Sequence, residues 1–352
     1  MKKTELIITK AWQTNAPWLK VFKPLSMLYQ VISDHRRNQY LQGKRPIYRA
    51  PVPVVVIGNI TVGGSGKTPL IITLVTYLMS KGVRVGVISR GYGGDTKTMP
   101  RMVTKDSTPS QVGDEPCLIV QSVANEQNIP MAVAPNRGQA IDLLIKTHPD
   151  IQLIISDDGL QHYALHRDVE WIVVDADRGF GSGELLPTGF LREPVSRLEG
   201  AVVIYHYGKA EDAKNSTHQH TMYLAPSPLQ ALVATAKQAP SRGAVYGLSG
   251  IGYPKRFFKT LSALGFDVIE CPMPDHHSFV LADIERLQEM PIITTSKDAV
   301  KLRTLIHKDT AHLFDNIWVL PVTAMVSEGV YGLADTLITM LQNIAHNKKD
   351  KS

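Results

Sequence analysis

The feature that most constrains the fold is a glycine-rich segment placed between a strand and a helix. Residues 52–59, VPVVVIGN, are typical of a buried strand, and residues 69–80, PLIITLVTYLMS, are typical of a helix. Backbone N–H groups at the start of such a helix point at phosphate oxygens, with the helix dipole behind them. The order of strand, glycines and helix therefore predicts a phosphate-binding loop and a nucleoside triphosphate site.

The glycine-rich segment departs at one position from the strict P-loop pattern G-x-x-x-x-G-K-[ST], because Thr61 stands where that pattern has glycine. Gly63 and Gly64 can still supply the tight turn. Lys67 would reach the outer phosphates, and the Thr68 hydroxyl would contact Mg²⁺. The predicted nucleotide-contacting residues are Thr61, Val62, Gly63, Gly64, Ser65, Gly66, Lys67 and Thr68.

Apolar runs alternate with helical stretches from this segment onward, which predicts an α/β fold. We expect a P-loop NTPase-type parallel sheet flanked by helices in residues 51–207. Residues 208–219 have little hydrophobic pattern and are predicted to be a linker. A second alternation of strands and helices follows, so residues 220–345 are predicted to form a smaller C-terminal α/β domain.

The basic charge is concentrated in residues 1–50. This segment holds ten Lys and Arg against two acidic residues, whereas the whole chain carries +6, so the rest is slightly acidic. Apolar residues recur in the segment at helical spacing: Trp18, Val21, Phe22, Leu25, Leu28, Tyr29 and Ile32. The separated charge favours an anionic membrane surface as partner, although a helix packed on the protein's own core has the same periodicity. Nucleic acid is not expected as a partner, because the body of the chain is not basic.

Two strand ends compete to supply the acids that organise a metal ion beside the loop. IQLIISDD ends in Asp157 and Asp158, and VEWIVVD ends in Asp175. Paired carboxylates place more negative charge beside a hard cation, so Asp157 and Asp158 are the predicted ligands. Asp175 is interpreted either as a residue behind the metal ligands or as a capping residue.

A kinase also needs a base for the acceptor hydroxyl. Candidate groups lie in GDEP at 113–116, at His162, at Glu193 beside Arg192, and in DHH at 275–277. The DHH group could instead hold a metal or satisfy a loop. A GTPase is not expected, because the nearest match to N-K-x-D, TTSKDAVKL, lacks the asparagine; Ser296 in that stretch is more simply a helix cap than a nucleotide contact.

Nine motifs, taken in order, resemble those of one known family. They are GNITVGGSGKTP, SRGYGG, VGDEP, PNRGQA, ISDDGLQH, VVDADRGFGSGELLPTGFLREP, GIGYPKRFF, PDHHSF and TTSKDAVKL. The series is similar to the tetraacyldisaccharide 4'-kinase family of Gram-negative bacteria over roughly residues 15–325, and so long a series is more specific than any single motif. Thr61 agrees with this resemblance, since the family's loop carries a hydroxyl residue there.

The resemblance implies an enzyme that uses ATP and Mg²⁺ to phosphorylate the 4'-hydroxyl of a tetraacylated glucosamine disaccharide 1-phosphate, forming lipid IVA. It also implies a peripheral protein on the cytoplasmic face of the bacterial inner membrane, attached through the N-terminal segment. Two alternatives remain. One is a kinase of the same fold with a soluble acceptor, and the other is a membrane-recruited ATPase switch with no acceptor.

By motif, the resemblance assigns Asp114 and His276 to proton removal and Lys67 to the triphosphate. The implied surroundings of the metal are Thr68, Asp157, Asp158 and Glu193. The predicted substrate contacts are Arg90, Arg137, His162 and Arg192. The resemblance places His162 and Arg192 near the metal, whereas Arg90 and Arg137 are strand-end arginines that could contact substrate or nucleotide phosphate or equally pair with surface acids. Because Asp114 and His276 belong to different predicted domains, we expect the site to lie between the domains and to be completed by closure. The sequence leaves open which of the two takes the proton.

Overall fold

Strands and helices alternate along most of the chain, and the computed structural model describes residues 2–123, 128–234 and 238–349. The strands are β1 (Val54–Gly58), β2 (Val85–Ser89), β3 (Arg101–Met102), β4 (Met131–Val133), β5 (Leu153–Asp157), β6 (Val169–Asp175), β7 (Val202–Tyr207), β8 (Thr221–Pro226), β9 (Gln230–Ala231), β10 (Gly243–Ser249), β11 (Phe266–Pro272), β12 (Ile292–Thr295), β13 (Ile317–Leu320) and β14 (Val322–Val326). The helices are α1 (Lys2–Gln13), α2 (Lys23–Leu41), α3 (Lys67–Ser80), α4 (Pro109–Val112), α5 (Asp114–Val123), α6 (Arg137–Thr147), α7 (Ala210–Lys214), α8 (Pro254–Ala263), α9 (Leu281–Glu285), α10 (Ser296–Leu302) and α11 (Glu328–Lys349). The predicted α/β class is confirmed.

The larger sheet is built around β1. Its order within the described ranges is β14-β8-β7-β6-β1-β5-β2-β4-β3. Neighbouring strands pair in parallel, except at the edges, where β14 and β3 run antiparallel to β8 and β4. The carboxyl ends of the parallel strands therefore meet at one edge of the sheet, and this edge carries the glycine-rich loop.

Burial on both faces fixes β1 and hence the start of the glycine-rich loop. Val55 and Ile57 pack in the cluster that contains α3, whereas Val54 and Val56 pack in the cluster that contains α6. The alternation follows from the strand period of two, and a strand covered on both sides needs a continuous apolar run. Helices therefore flank this sheet, as the sequence predicts.

The smaller sheet has the order β11-β10-β12-β13-β9, with β9 antiparallel to β13. The strands that precede and follow it in sequence, β8 and β14, pair with each other in the larger sheet. The strand pairing thus differs from the predicted division at residue 220, because the end of the chain returns and covers β8, which would otherwise be an unpaired edge. The predicted linker, 208–219, also differs: it contains α7 and connects the adjacent strands β7 and β8.

The N-terminal helical segment, residues 2–41, leaves many of its apolar side chains exposed. The exposed fraction lies between 45% and 78% for Trp18, Val21, Leu25, Leu28 and Ile32. Other side chains of α2 bind the rest of the protein: Ser26 Oγ donates to the Leu185 carbonyl at 3.0 Å, and the Tyr29 hydroxyl donates to the Arg192 carbonyl at 2.9 Å. Packing on the protein's own core therefore does not account for the periodicity. Within the part of the chain that the structure describes, no helix has the length and apolar character needed to cross a bilayer.

The two sheets meet at the glycine-rich loop. A Cβ added to Gly252, which lies after β10, would be 2.7 Å from Gly63 Cα and 2.7 Å from the Gly64 nitrogen. The same Cβ would be 2.9 Å from Asp275 Oδ2. Glycine therefore lets the backbone of the smaller sheet approach the loop this closely.

We expect Gly252→Ala to weaken nucleoside triphosphate binding by roughly tenfold, because the added methyl group must displace the loop. The measurement is equilibrium binding of a nonhydrolysable ATP analogue by calorimetry. Gly332→Ala in α11 is the matched control, since a Cβ added there meets none of the described atoms within 4 Å. Equal affinities for the two variants and the wild type would contradict the expected displacement.

Candidate active site

The glycine-rich loop ends at the first turn of α3. Gly63 and Gly66 have positive φ angles of 93° and 92°, so both positions favour glycine. Lys67 begins α3, and its Nζ donates a hydrogen bond to Asn59 Oδ1 at 2.9 Å. The loop, the helix N-terminus and the ammonium group therefore lie together, which is the arrangement that a phosphate-binding loop requires.

Thr61 ties the loop to its surroundings. Its hydroxyl accepts a hydrogen bond from Asn59 Nδ2 at 3.1 Å, and its carbonyl accepts one from Arg192 Nε at 3.0 Å. Asn59 is fully buried and bonds both Thr61 and Lys67. A glycine at position 61 would lose the bond to Asn59. Sequence reasoning missed Asn59, whose one signal is its place between the strand and the glycines.

Asp158 is held between two cations. Arg192 donates to it twice, from Nη1 to Oδ2 at 3.0 Å and from Nη2 to Oδ1 at 3.1 Å. Lys67 Nζ lies 3.3 Å from Oδ1. Burial by itself raises the pKa of Asp158, but the charges of Lys67 and Arg192 outweigh burial and lower this pKa below its usual range. Asp158 is therefore ionised and already paired.

Asp157, at the end of β5, is fully buried and has fewer hydrogen-bond partners than Asp158. Ser89 Oγ donates to Oδ2 at 3.2 Å, whereas Oδ1 has no hydrogen-bond partner among the described residues. Burial, and then the charges of Glu115 and Asp158, raise the pKa of Asp157 to about 7. No group of three or more His, Cys, Asp or Glu in the described ranges could hold a metal by itself. A cation here would therefore need the unpartnered oxygen of Asp157 together with other oxygen ligands.

Glu193, which the resemblance assigns to the surroundings of the metal, contacts three protein side chains. Its Oε1 accepts a hydrogen bond from Gln161 Nε2 at 2.6 Å, and its Oε2 accepts one from the Tyr163 hydroxyl at 3.0 Å. Arg197 Nε lies 3.2 Å from the same Oε2. Because both oxygens are engaged, the buried Glu193 holds the segment that carries Arg192. Sequence reasoning missed Gln161 and Tyr163 as its partners.

Four arginines surround His162. Burial, and then the charges of Arg137, Arg167, Arg36 and Arg90, lower the pKa of His162 to about 4. Arg90 is exposed. Arg137 is buried, and its guanidinium contacts backbone carbonyls at the end of β5 at 3.4 Å. The structure thus gathers cations from α2, α6 and the loops after β2 and β5, around an imidazole that stays neutral at pH 7.

Asp114 and His276 meet across the two sheets. His276 Nδ1 lies 3.0 Å from Asp114 Oδ2 and 3.2 Å from Oδ1. Asp114 begins α5 and is 5% exposed, whereas His276 follows β11 and has a positive φ of 53°. The ring of Tyr92 lies against the imidazole, with 4.8 Å between the ring centroids. His277 instead contacts Asp283, with 2.9 Å between Nε2 and Oδ2.

The two members of this pair have opposite pKa shifts. Burial raises the pKa of Asp114, but the hydrogen bond to His276 and the charge of Lys297 outweigh burial and lower that pKa to about 2. Burial lowers the pKa of His276, but the hydrogen bond to Asp114 helps to raise it above its usual value. Asp114 therefore stays ionised and makes the imidazole a stronger base.

A second contact between the sheets runs through Asp175. Arg256, on α8, places Nη2 2.6 Å from Asp175 Oδ1 and Nη1 3.1 Å from His206 Nδ1. His206 Nδ1 in turn lies 2.9 Å from the Ser65 carbonyl of the glycine-rich loop. Asp175 Oδ1 also accepts a hydrogen bond from the Arg178 backbone N–H at 3.0 Å, as a capping residue would. Asp175 thus helps to connect the smaller sheet with the loop.

Three kinds of similarity point to one family. The family model for tetraacyldisaccharide-1-P 4'-kinase, LpxK, matches residues 18–342. Proteins named tetraacyldisaccharide 4'-kinase are similar to this chain: that of Psychrobacter cryohalolentis is 52% identical, over 98% of this chain and 99% of its own length, and that of Azotobacter vinelandii is 40% identical, over 95% and 97%. The crystal structure of LpxK from Aquifex aeolicus in complex with ATP has a TM-score of 0.71 at 25% identity, and the match covers 92% of this chain and 99% of that one.

Proposed function

This chain belongs to the tetraacyldisaccharide-1-P 4'-kinase family, and we propose that Asp114 and His276 remove the proton from the acceptor hydroxyl. The enzyme uses ATP to phosphorylate the 4'-position of a tetraacylated disaccharide 1-phosphate in lipid A synthesis. Membership of this family confirms the resemblance carried by the motifs. The roles of individual residues in the reaction are the subject of the proposal.

The observation that carries this proposal is the contact between Asp114 and His276 beside the glycine-rich loop. Gly252 approaches both Gly63 and Asp275, the neighbour of His276, so the pair and the loop belong to one cleft between the sheets. A site assembled from both sheets excludes water when it closes. Exclusion of water favours transfer to the lipid hydroxyl over hydrolysis of ATP.

The proton chemistry follows from the contact with Asp114. Nδ1–H of His276 donates to the Asp114 carboxylate, which leaves the lone pair on Nε2 to accept a proton. The acceptor oxygen attacks the γ-phosphorus as its proton passes to His276, and the bond from the γ-phosphorus to the bridging oxygen of ADP breaks. Asp114 remains ionised and stabilises the imidazolium ion that forms.

Mg²⁺ fits the acidic end of β5. Asp157, whose Oδ1 lacks a hydrogen-bond partner among the described residues, and Thr68, in the first turn of α3, would hold the cation, with Asp158 beside them. The cation supplies positive charge that offsets the charge on the phosphate oxygens during transfer. We leave Glu193 out of this set because its carboxylate oxygens are already engaged.

The arginines around His162 suit the anionic end of the substrate. They surround His162 closely enough to lower its pKa, so a phosphate group placed there would be attracted by several cations. We propose that Arg90, which is exposed, and His162 contact the substrate phosphate. Arg137 and Arg192 are bonded to the end of β5 and to Asp158, so we propose that they position the site.

The exposed apolar side chains of residues 18–32 suit a membrane surface. They share the N-terminal segment with most of the excess basic charge, and anionic headgroups attract such segments. Arg36 of α2 also contributes to the positive charge around His162, so α2 connects the exposed apolar surface with the site. We propose peripheral attachment to the cytoplasmic face of the bacterial inner membrane, where a lipid acceptor is present.

We expect transfer of labelled γ-phosphate from ATP to tetraacyldisaccharide 1-phosphate in mixed micelles containing Mg²⁺. Lys67→Ala and Asp114→Ala should each lower kcat by roughly a hundredfold or more. Lys67→Ala removes the positive charge that contacts the triphosphate, and Asp114→Ala removes the carboxylate that makes His276 a stronger base. Lys259→Ala, an exposed lysine on α8, is the matched control. A variant of Lys67 or Asp114 that keeps the kcat of the wild type would contradict the role proposed for that residue.

We expect Asp157→Asn to raise the Mg²⁺ concentration needed for half-maximal activity by roughly tenfold, because an amide is a weaker ligand for a hard cation than a carboxylate. The measurement is kinase rate against Mg²⁺ concentration at saturating ATP. Asp309→Asn, at an exposed acid in the region of the smaller sheet, is the control. An unchanged Mg²⁺ requirement in Asp157→Asn would exclude Asp157 as a ligand.

We expect the double variant Leu25→Glu/Leu28→Glu to lose roughly tenfold or more in vesicle binding, because two exposed apolar side chains become anionic. Sedimentation with vesicles of phosphatidylethanolamine and phosphatidylglycerol measures this loss. Val280→Glu, at an exposed valine outside the N-terminal segment, is the control. Wild-type protein that stays in the supernatant would contradict the proposed attachment to the membrane.

A further inference from the structure

We propose that Lys297 is a positioning residue for the proton acceptor: its ammonium group lies among three carboxylates and holds Asp114 against His276. The inference rests on the proposed role of Asp114 and His276. Lys297 lies in the motif TTSKDAVKL, which has no role in the nucleotide or acceptor chemistry proposed above. A lysine fixed in this position would connect the smaller sheet to the reacting groups.

The contacts of the ammonium group are close and specific. Lys297 Nζ lies 3.0 Å from Glu115 Oε1, 3.7 Å from Asp275 Oδ1 and 3.8 Å from Asp114 Oδ2. Its side chain is 15% exposed, so solvent screens these contacts only in part. Glu115 and Asp114 belong to α5, whereas Asp275 adjoins His276 after β11. One cation therefore joins the segments that carry the two members of the pair.

The first turn of α10 fixes the direction of this lysine. Thr295, rather than the predicted Ser296, caps the helix, because its Oγ1 accepts a hydrogen bond from the Asp298 backbone N–H at 3.1 Å. The Asp298 carboxylate in turn accepts from the Gly250 backbone N–H at 2.9 Å and from Thr295 Oγ1 at 2.8 Å. These bonds tie α10 to β10 and β12, so Lys297 extends from a rigid base toward α5.

Lys301 supports the same site from one turn further along α10. Its Nζ lies 2.8 Å from Asp298 Oδ1 and 3.9 Å from Asp114 Oδ2. Lys301 thus has its main contact within its own helix, whereas the contacts of Lys297 are with α5 and the His276 loop. This difference in partners makes Lys297 the residue that connects the segments.

The charged and titratable groups around the pair come from every element packed against it. They are Glu115 and Cys117 on α5, Asp275 beside His276, Tyr92 against the imidazole, and Lys297, Asp298 and Lys301 on α10. Burial, and then Asp114, raise the pKa of the Cys117 thiol to about 12, so this thiol carries no charge at neutral pH. Without Lys297, three neighbouring carboxylates would repel one another and draw the proton more tightly to His276.

The sign of the resulting pH dependence is the same for both members of the pair. The Lys297 charge acts to lower the pKa of Asp114 and also acts to lower the pKa of His276. Removal of this charge should therefore raise the macroscopic pKa at which the pair gains its proton. Because the unprotonated pair is the active base, the acid limb of the rate profile should move to higher pH.

The test compares wild type, Lys297→Met, Lys297→Gln and Lys297→Arg in the micelle kinase assay from pH 5 to 9. We expect the acid limb of kcat/KM for the lipid to move up by about one pH unit or more in the two neutral variants. The KM for ATP should stay within about twofold, because Lys297 acts on the base rather than on the triphosphate. Lys297→Arg should restore the acid limb, since it keeps the charge. Lys259→Met is the matched control.

Circular dichroism and thermal unfolding report whether each variant is folded. If the neutral variants do not fold, Glu115→Gln/Lys297→Gln, which neutralises the closest ion pair as a unit, is compared with Glu115→Gln alone, and the upward shift is expected between these two variants because they differ only in the Lys297 charge. Acid limbs that coincide in folded neutral variants and wild type would overturn the proposal, whatever the loss of kcat. Failure of the proposed function is distinct, because Asp114→Ala would then keep the kcat of the wild type.

Discussion

The parallel pairing of β1 with β5 is the constraint on which the rest of the site depends. Ile57 on β1 lies opposite Asp157 on β5, so the glycine-rich loop and the two acids leave the sheet at the same edge. Both strands are buried along their length, and the charged side chain that they contain, Asp157, lies at the carboxyl end of β5. The glycine-rich loop, Lys67 and the acidic pair therefore lie together because the two strands that precede them end side by side.

The charges gathered at this edge are not equivalent. Asp158 is paired with Lys67 and Arg192, whereas Asp157 keeps one oxygen without a hydrogen bond among the described residues and has a raised pKa. Two adjacent carboxylates thus have different environments, one ordered by protein cations and one suited to a further cation. The environment also sets the pKa values of Asp114 and His276. Burial raises the pKa of Asp114 and lowers that of His276, whereas the hydrogen bond between them acts in the opposite direction on each.

The smaller sheet completes the site from the other side. It brings Gly252 against the loop, Arg256 to Asp175 and His276 to Asp114, and each of these contacts crosses between the sheets. The chain then returns to the larger sheet through β13 and β14, so both ends of the smaller sheet are connected to the same body. This double connection limits how the two halves of the site can move relative to each other.

The sequence by itself determined the α/β class, the buried strand β1, the glycine-rich loop and the helix that Lys67 begins, because these depend on hydrophobic periodicity and on neighbours along the chain. The motif series added the family and the pairing of Asp114 with His276. Only the tertiary structure decided that β14 returns to the larger sheet, that Glu193 is engaged by Gln161 and Tyr163, and that Lys297 reaches α5. Those contacts join segments far apart in sequence, and their energies depend on burial and distance, which no local pattern of residues specifies.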